Sequence, residues 1–93
     1  MVNITLANIN QEFMSLIPEH RLQIHKLMAE GTITDYALSV DRERLWTVIK
    51  ADSEREVYEV LASLPLRKYM LPEVHELMFH NKMTASFPAL SLN

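Results

Sequence analysis

Four histidines, His20, His25, His75 and His80, are the side chains of this sequence best suited to moving protons near neutral pH. An imidazole with its ordinary pKa of about 6.5 can take up or release a proton there. Three carboxylates are placed to tune or orient such a base: Glu19 beside His20, Asp35 inside an apolar run, and Glu43 in a polar link. Metal chemistry fits these spacings less well. A helical ligand pair wants histidines four apart, as in HExxH, and His20 and His25 are five apart. His75 and His80 differ by an odd number, which turns them to opposite faces of a regular strand. They remain a metal reading only one at a time, and the expectation is no metal.

The residues that are missing narrow the chemistry further. Without cysteine there is no thiol nucleophile, thiolate zinc site or disulfide. A single glycine excludes GxGxxG and GxxxxGK[ST] phosphate cradles, and no GxSxG element is present. A net charge of −3 argues against a nucleic-acid partner. The start MVNITLANINQEF lacks the basic and apolar regions of a signal peptide, and no apolar run is long enough to span a membrane. The expected location is cytoplasmic.

The elements that must carry these groups alternate between two periods. Residues 2–9 alternate through Val2, Ile4 and Leu6 and predict a strand. Over residues 10–30, Phe13, Ile17, Ile24 and Met28 recur at helical spacing, widened by Met14 and Leu27. Pro18 interrupts this stretch, predicting a short first turn, a kink at Ile17-Pro18 and a main helix starting near Pro18. On that reading Glu19 and His20 lie in a first turn, where the helix dipole lowers the imidazole pKa. Gly31 stands where a left-handed C-cap belongs.

Residues 33–40 and 45–51 read as strands of a hairpin joined by the polar residues 41–44. Ser53 and Glu56 have capping-box spacing ahead of the stripe Val57, Val60, Leu61 and Leu64. Residues 69–80 predict a last strand, with Pro72 marking a bulge or an edge. The order βαββαβ is that of a ferredoxin-like α+β sandwich, an antiparallel four-stranded sheet with two helices on one face. One domain over residues 1–80 is followed by a tail, 81–93, whose Phe87 and Leu90 are expected to pack on a neighbouring subunit.

That architecture leaves one sheet face uncovered, and the sequence makes this costly. The third strand has Leu45 and Ile49 on one side and Trp46 and Val48 on the other. The second sets Tyr36, Leu38 and Val40 opposite Ile33 and Ala37. A solvated antiparallel face normally alternates apolar with polar residues. At 48% apolar residues in 93, an unassisted monomer would be marginal, so a homo-oligomer, at least a dimer, is expected.

The segment Met28-Ala29-Glu30-Gly31-Thr32, followed by Leu64-Pro65-Leu66, Tyr69-Met70, Glu73-Val74 and Leu77, resembles the muconolactone Δ-isomerase family. The resemblance covers roughly residues 18–80. It implies the same ferredoxin-like fold, a homo-oligomer, and a double-bond shift in a small unsaturated lactone by proton abstraction and return, without metal or cofactor. By this spacing the family's proton-abstracting Glu falls on His20, with Glu19 beside it. The family's lactone-contacting Tyr and Asn fall on Glu43 and Leu45. All three positions depart from the family's residue types, and Leu45 removes a polar contact.

The functional expectation is a small pocket between the sheet and the start of the first helix. In it His20 is the base, Glu19 tunes it, and Asp35 or Glu43 is the orienting acid. Leu45, Trp46 and Tyr69 are the candidate ligand-contacting residues. The competing reading is a non-catalytic oligomeric module for a small molecule or a protein, with apolar side chains such as Leu45 filling the pocket.

Overall fold

A computed structural model of the chain describes residues 1–78. The elements run β1 (Val2–Leu6), α1 (Gln11–Ala29), β2 (Ile33–Leu38), β3 (Arg44–Ile49), α2 (Glu54–Ala62), a 3-10 turn (Arg67–Tyr69) and β4 (Met70–Val74). The four strands form one antiparallel sheet in the order β2-β3-β1-β4. The predicted ferredoxin-like α+β architecture is therefore present. The tail 81–93 and His80 lie outside the described residues.

Residues paired across strands share a face, so the register sorts the sheet. Val2, Ile4 and Leu6 of β1 meet Thr47 and Leu45 of β3 and Val74, Pro72 and Met70 of β4 on one face. That face meets Phe13, Ile24 and Leu27 of α1 and Val57 and Leu61 of α2 in a single core. The opposite face carries Asn3, Thr5, Ala37, Trp46, Val48, Leu71 and Glu73. Its apolar centre is ringed by polar residues from β1 and β4, so the two-sided apolar character belongs chiefly to β3. Pro72 sits on an edge strand, where its missing N–H costs no ladder bond.

One irregularity reorganises β2. Ile33 pairs with Ile49 and Asp35 with Val48, so β2 advances two residues while β3 advances one. This is a β-bulge, and it reverses the alternation beyond it. Ile33, Tyr36 and Leu38 consequently all share the helix-covered face, whereas plain alternation sets Ile33 opposite the other two. The carbonyl of Asp35 is satisfied there by the buried hydroxyl of Thr47, which donates to it at 2.8 Å.

Pro18 does not divide the first helix. α1 is continuous from Gln11, with Asn10 as N-cap accepting from the Phe13 amide at 2.9 Å. The turns ahead of Pro18 are fixed by tertiary contacts that outweigh one lost helical hydrogen bond. Phe13 is buried edge-on against Tyr69, the Tyr69 hydroxyl reaches Asn10, and Glu12 pairs with Lys68. Glu19 and His20 therefore lie in the middle of the helix, not in its first turn.

The predicted cap at Gly31 is complete. Gly31 has φ +80°, its amide donates to Met28 and the Thr32 amide donates to Leu27, which together close the last turn. The Ser53–Glu56 box likewise starts α2: Ser53 accepts from the Glu56 amide, and the Glu56 carboxylate accepts from the Asp52 amide. All four strands end sooner than predicted, β2 at Leu38 and β3 at Ile49. Asn8, at φ 59°, turns the chain out of β1 after Leu6, and β4 stops at Val74. A Cβ at position 31 would meet no atom within 4 Å, so Gly31→Ala tests backbone conformation alone. Urea denaturation should show a loss of about 1–2 kcal/mol, the cost of a left-handed non-glycine residue, and a smaller loss for Gly31→Asn.

Candidate functional site

The helical spacing that builds the core also buries a titratable group. Positions 13, 20 and 27 fall seven apart on the inner stripe of α1, and Phe13, His20 and Leu27 are all buried there. His20 is only 4% exposed. From β2, the bulge brings Tyr36 round to the same face, and the Tyr36 hydroxyl lies 2.8 Å from His20 Nε2. The other ring nitrogen, Nδ1, is buried without a hydrogen-bond partner.

This pair lines a cleft of about 760 Å³ between α1 and the end of the sheet holding Leu6, Leu38 and Leu45. Its walls are mainly apolar, including Ile17, Ile24 and Leu66. The charged and titratable members are Arg21 and His25 of α1 and Arg42 of the β2–β3 turn, and among the described residues no carboxylate lines it. Ordinary small-molecule sites combine about 300–1,000 Å³ of apolar volume with a few convergent polar groups. The cleft has that character.

Burial sets the protonation of the pair. Desolvation pushes the His20 imidazole down to about 4, so the ring is neutral at pH 7. The cause is burial, not the helix terminus, because His20 sits two turns inside α1. Desolvation likewise pushes the Tyr36 phenol up to about 12, against the Arg21 guanidinium, which favours the phenolate. At neutral pH the pair is an uncharged imidazole bonded to an uncharged phenol.

The other candidates are scattered. Glu19 is exposed on α1. Register places Asp35 opposite Val48, on the sheet face away from His20, and Trp46 lies on that same face. The bulge that turns Tyr36 inward is what turns Asp35 out. Glu43 is exposed in the hairpin, where its carbonyl accepts from the Leu6 amide. Leu45 is buried and lines the cleft. Tyr69 is buried beyond the cleft lining, against Phe13 and Asn10.

Of the named residues, the cleft thus gathers His20 and Leu45 and adds Tyr36, Arg21 and Arg42. The available signal for Tyr36 was its shared face with Leu38; the link to His20 needed the fold. His75 Nε2 lies 2.8 Å from Glu73, and among the described residues no three His, Asp or Glu side chains converge as a metal site. No helix among the described residues is long and apolar enough to cross a membrane.

The sequence model of the muconolactone delta-isomerase family matches residues 1–83. The chain belongs to that family. No curated protein matches it. Membership agrees with the ferredoxin-like α+β fold described above.

The depressed pKa makes stability pH-dependent with a definite sign. Unfolded His20 takes up a proton as pH falls through about 6.5, while the folded ring resists until about 4. Acid therefore favours the unfolded chain across that window, and the contribution is fully retained above it. Urea titrations from pH 7 to 4 should show a falling midpoint, with a shallower fall in His20→Gln.

Proposed function

We propose that the protein is a cofactor-free isomerase that moves a proton within a small lactone or unsaturated acid, with His20 as the base. The observation that carries this reading is the buried His20–Tyr36 pair in an apolar cleft that also holds two guanidinium groups. A neutral imidazole is already in the proton-accepting form at pH 7, and an apolar cleft excludes competing water. A base as weak as this one suits a C–H bond made acidic by an adjacent carbonyl and an extended double bond. The family's lactone chemistry has that character.

The test uses muconolactone and a panel of unsaturated five-membered lactones and β,γ-unsaturated acids in D2O. Proton NMR should show enzyme-dependent deuterium uptake and double-bond migration with at least one of them. His20→Ala should reduce the rate by at least a hundredfold, within the range that acid–base groups contribute, about 10²–10⁴. Full activity in that variant would remove His20 from the role.

Self-association through the uncovered sheet face belongs to the same proposal. Trp46, Val48 and Leu71 share that face, and Asn3 beside Trp46 has a buried side-chain oxygen with no partner. A second copy would bury this patch and could supply the missing donor. Sedimentation velocity should find at least a dimer for the native chain and a monomer for Trp46→Glu. A monomeric native chain at 100-fold dilution and at high concentration alike would reject the interface.

A further inference from the structure

We infer that Tyr36 is a catalytic residue, the hydrogen-bond donor that holds the ligand's carbonyl oxygen while His20 takes the proton from carbon. This rests on the isomerase reading of the same cleft and assigns it a second reacting group. The bulge in β2 decides which face Tyr36 joins. Continuing the alternation from Ile33 would set residue 35 on the helix side and turn Tyr36 away. The extra residue re-aims the strand, and bulges recur beside active sites for that purpose. Its result is that Tyr36 lines the cleft, with its hydroxyl 2.8 Å from His20 Nε2.

The pair makes chemical sense only if it exchanges partners. For Nε2 to act as a base it must carry a lone pair, so the ring proton sits on Nδ1. The Tyr36 hydroxyl then donates to Nε2 in the empty cleft and masks the base. A ligand carbonyl that accepts the Tyr36 proton in a hydrogen bond exposes Nε2 to the neighbouring C–H. The step then balances without any further reactant. The C–H bond breaks, its proton goes to Nε2, and its electron pair moves through the conjugated system onto the carbonyl oxygen as a dienolate.

Tyr36 O–H and the nearby Arg21 charge hold that oxyanion. Return of the proton from Nε2 to the other end of the conjugated system re-forms the carbonyl and restores the neutral imidazole. Leu45, from the adjacent strand, offers no polar atom for the task. Electrophilic assistance is needed because an uncharged, desolvated imidazole is a weak base. Donors aimed at a developing oxyanion commonly contribute about 10²–10³ in rate.

The test compares Tyr36→Phe with the native chain in the deuterium-exchange assay and in binding of tetronate, the anionic enolate of a five-membered lactone. Tyr36→Phe keeps the ring that packs against α1, and circular dichroism should be unchanged. The expected result is a fall in kcat of at least a hundredfold with KM within about threefold, and tetronate binding at least tenfold weaker. Turnover in Tyr36→Phe within threefold of native would overturn the assignment while leaving the isomerase reading intact. Native protein that turns over no panel member, yet binds tetronate tenfold better than Tyr36→Phe, would defeat the isomerase reading and support Tyr36 as the oxygen-holding group. Absence of turnover together with tetronate binding that is undetectable or equal in the two proteins would overturn both.

Discussion

A core position of α1 is filled by a histidine, and much of the molecule's local design follows from accommodating it. Phe13, His20 and Leu27 occupy equivalent turns of one stripe, so the imidazole is desolvated together with its apolar neighbours. Burying a polar ring without partners costs about 1–3 kcal/mol per unsatisfied group. The fold answers half of this demand, through the Tyr36 hydroxyl, and leaves Nδ1 unanswered. A structural histidine would normally be satisfied at both nitrogens or replaced by leucine. Retaining a half-satisfied one beside a cleft is the kind of cost that functional sites bear.

Supplying even that one partner required a departure from regular sheet geometry. The bulge at 33–35 adds a residue to β2, and Thr47 secures it by donating to the Asp35 carbonyl from a buried position on β3. A threonine in the core of a sheet is itself an exception among Val2, Ile4 and Leu45, and the bulge explains it. His20, Tyr36 and Thr47 thus form one connected account. The helix buries an imidazole, the bulge brings a phenol to it, and a hydroxyl on the next strand stabilises the bulge.

Element order, sheet topology and both caps were legible in the sequence because they rest on local signals. Gly31 needs a positive φ, Ser53 and Glu56 need their spacing, and the strands alternate. The continuous α1 was not legible, since Pro18 is a strong local breaker and the contacts of Phe13, Asn10 and Glu12 that override it come from residues 68 and 69. The site was legible only in part. His20 stands out by type, but assigning it to the first turn attributed its depressed pKa to a dipole when burial is the cause. Asp35 looked unusual inside an apolar strand, and one inserted residue in the ladder sends it to the opposite face. Plain period-2 alternation has no place for the inserted residue and so assigns Asp35 to the wrong face.

The charge balance of the cleft bears on how so weak a base could work. Arg21 and Arg42 line it, no carboxylate among the described residues does, and desolvation alone keeps His20 neutral. Any ligand that carries or develops negative charge there changes this balance twice over. It is attracted by the guanidinium groups, and its own charge stabilises a protonated imidazole next to it. The basicity of His20 would then rise as the oxyanion forms and fall as it is quenched. For the proposed proton transfer, an imidazole neutral in the empty cleft and more basic beside a developing anion is matched to the one moment at which the proton must be held. Solvent cannot provide that matching, because water screens the oxyanion from the ring. In the proposed reaction the apolar walls are therefore as much a part of the acid–base chemistry as the groups that exchange the proton.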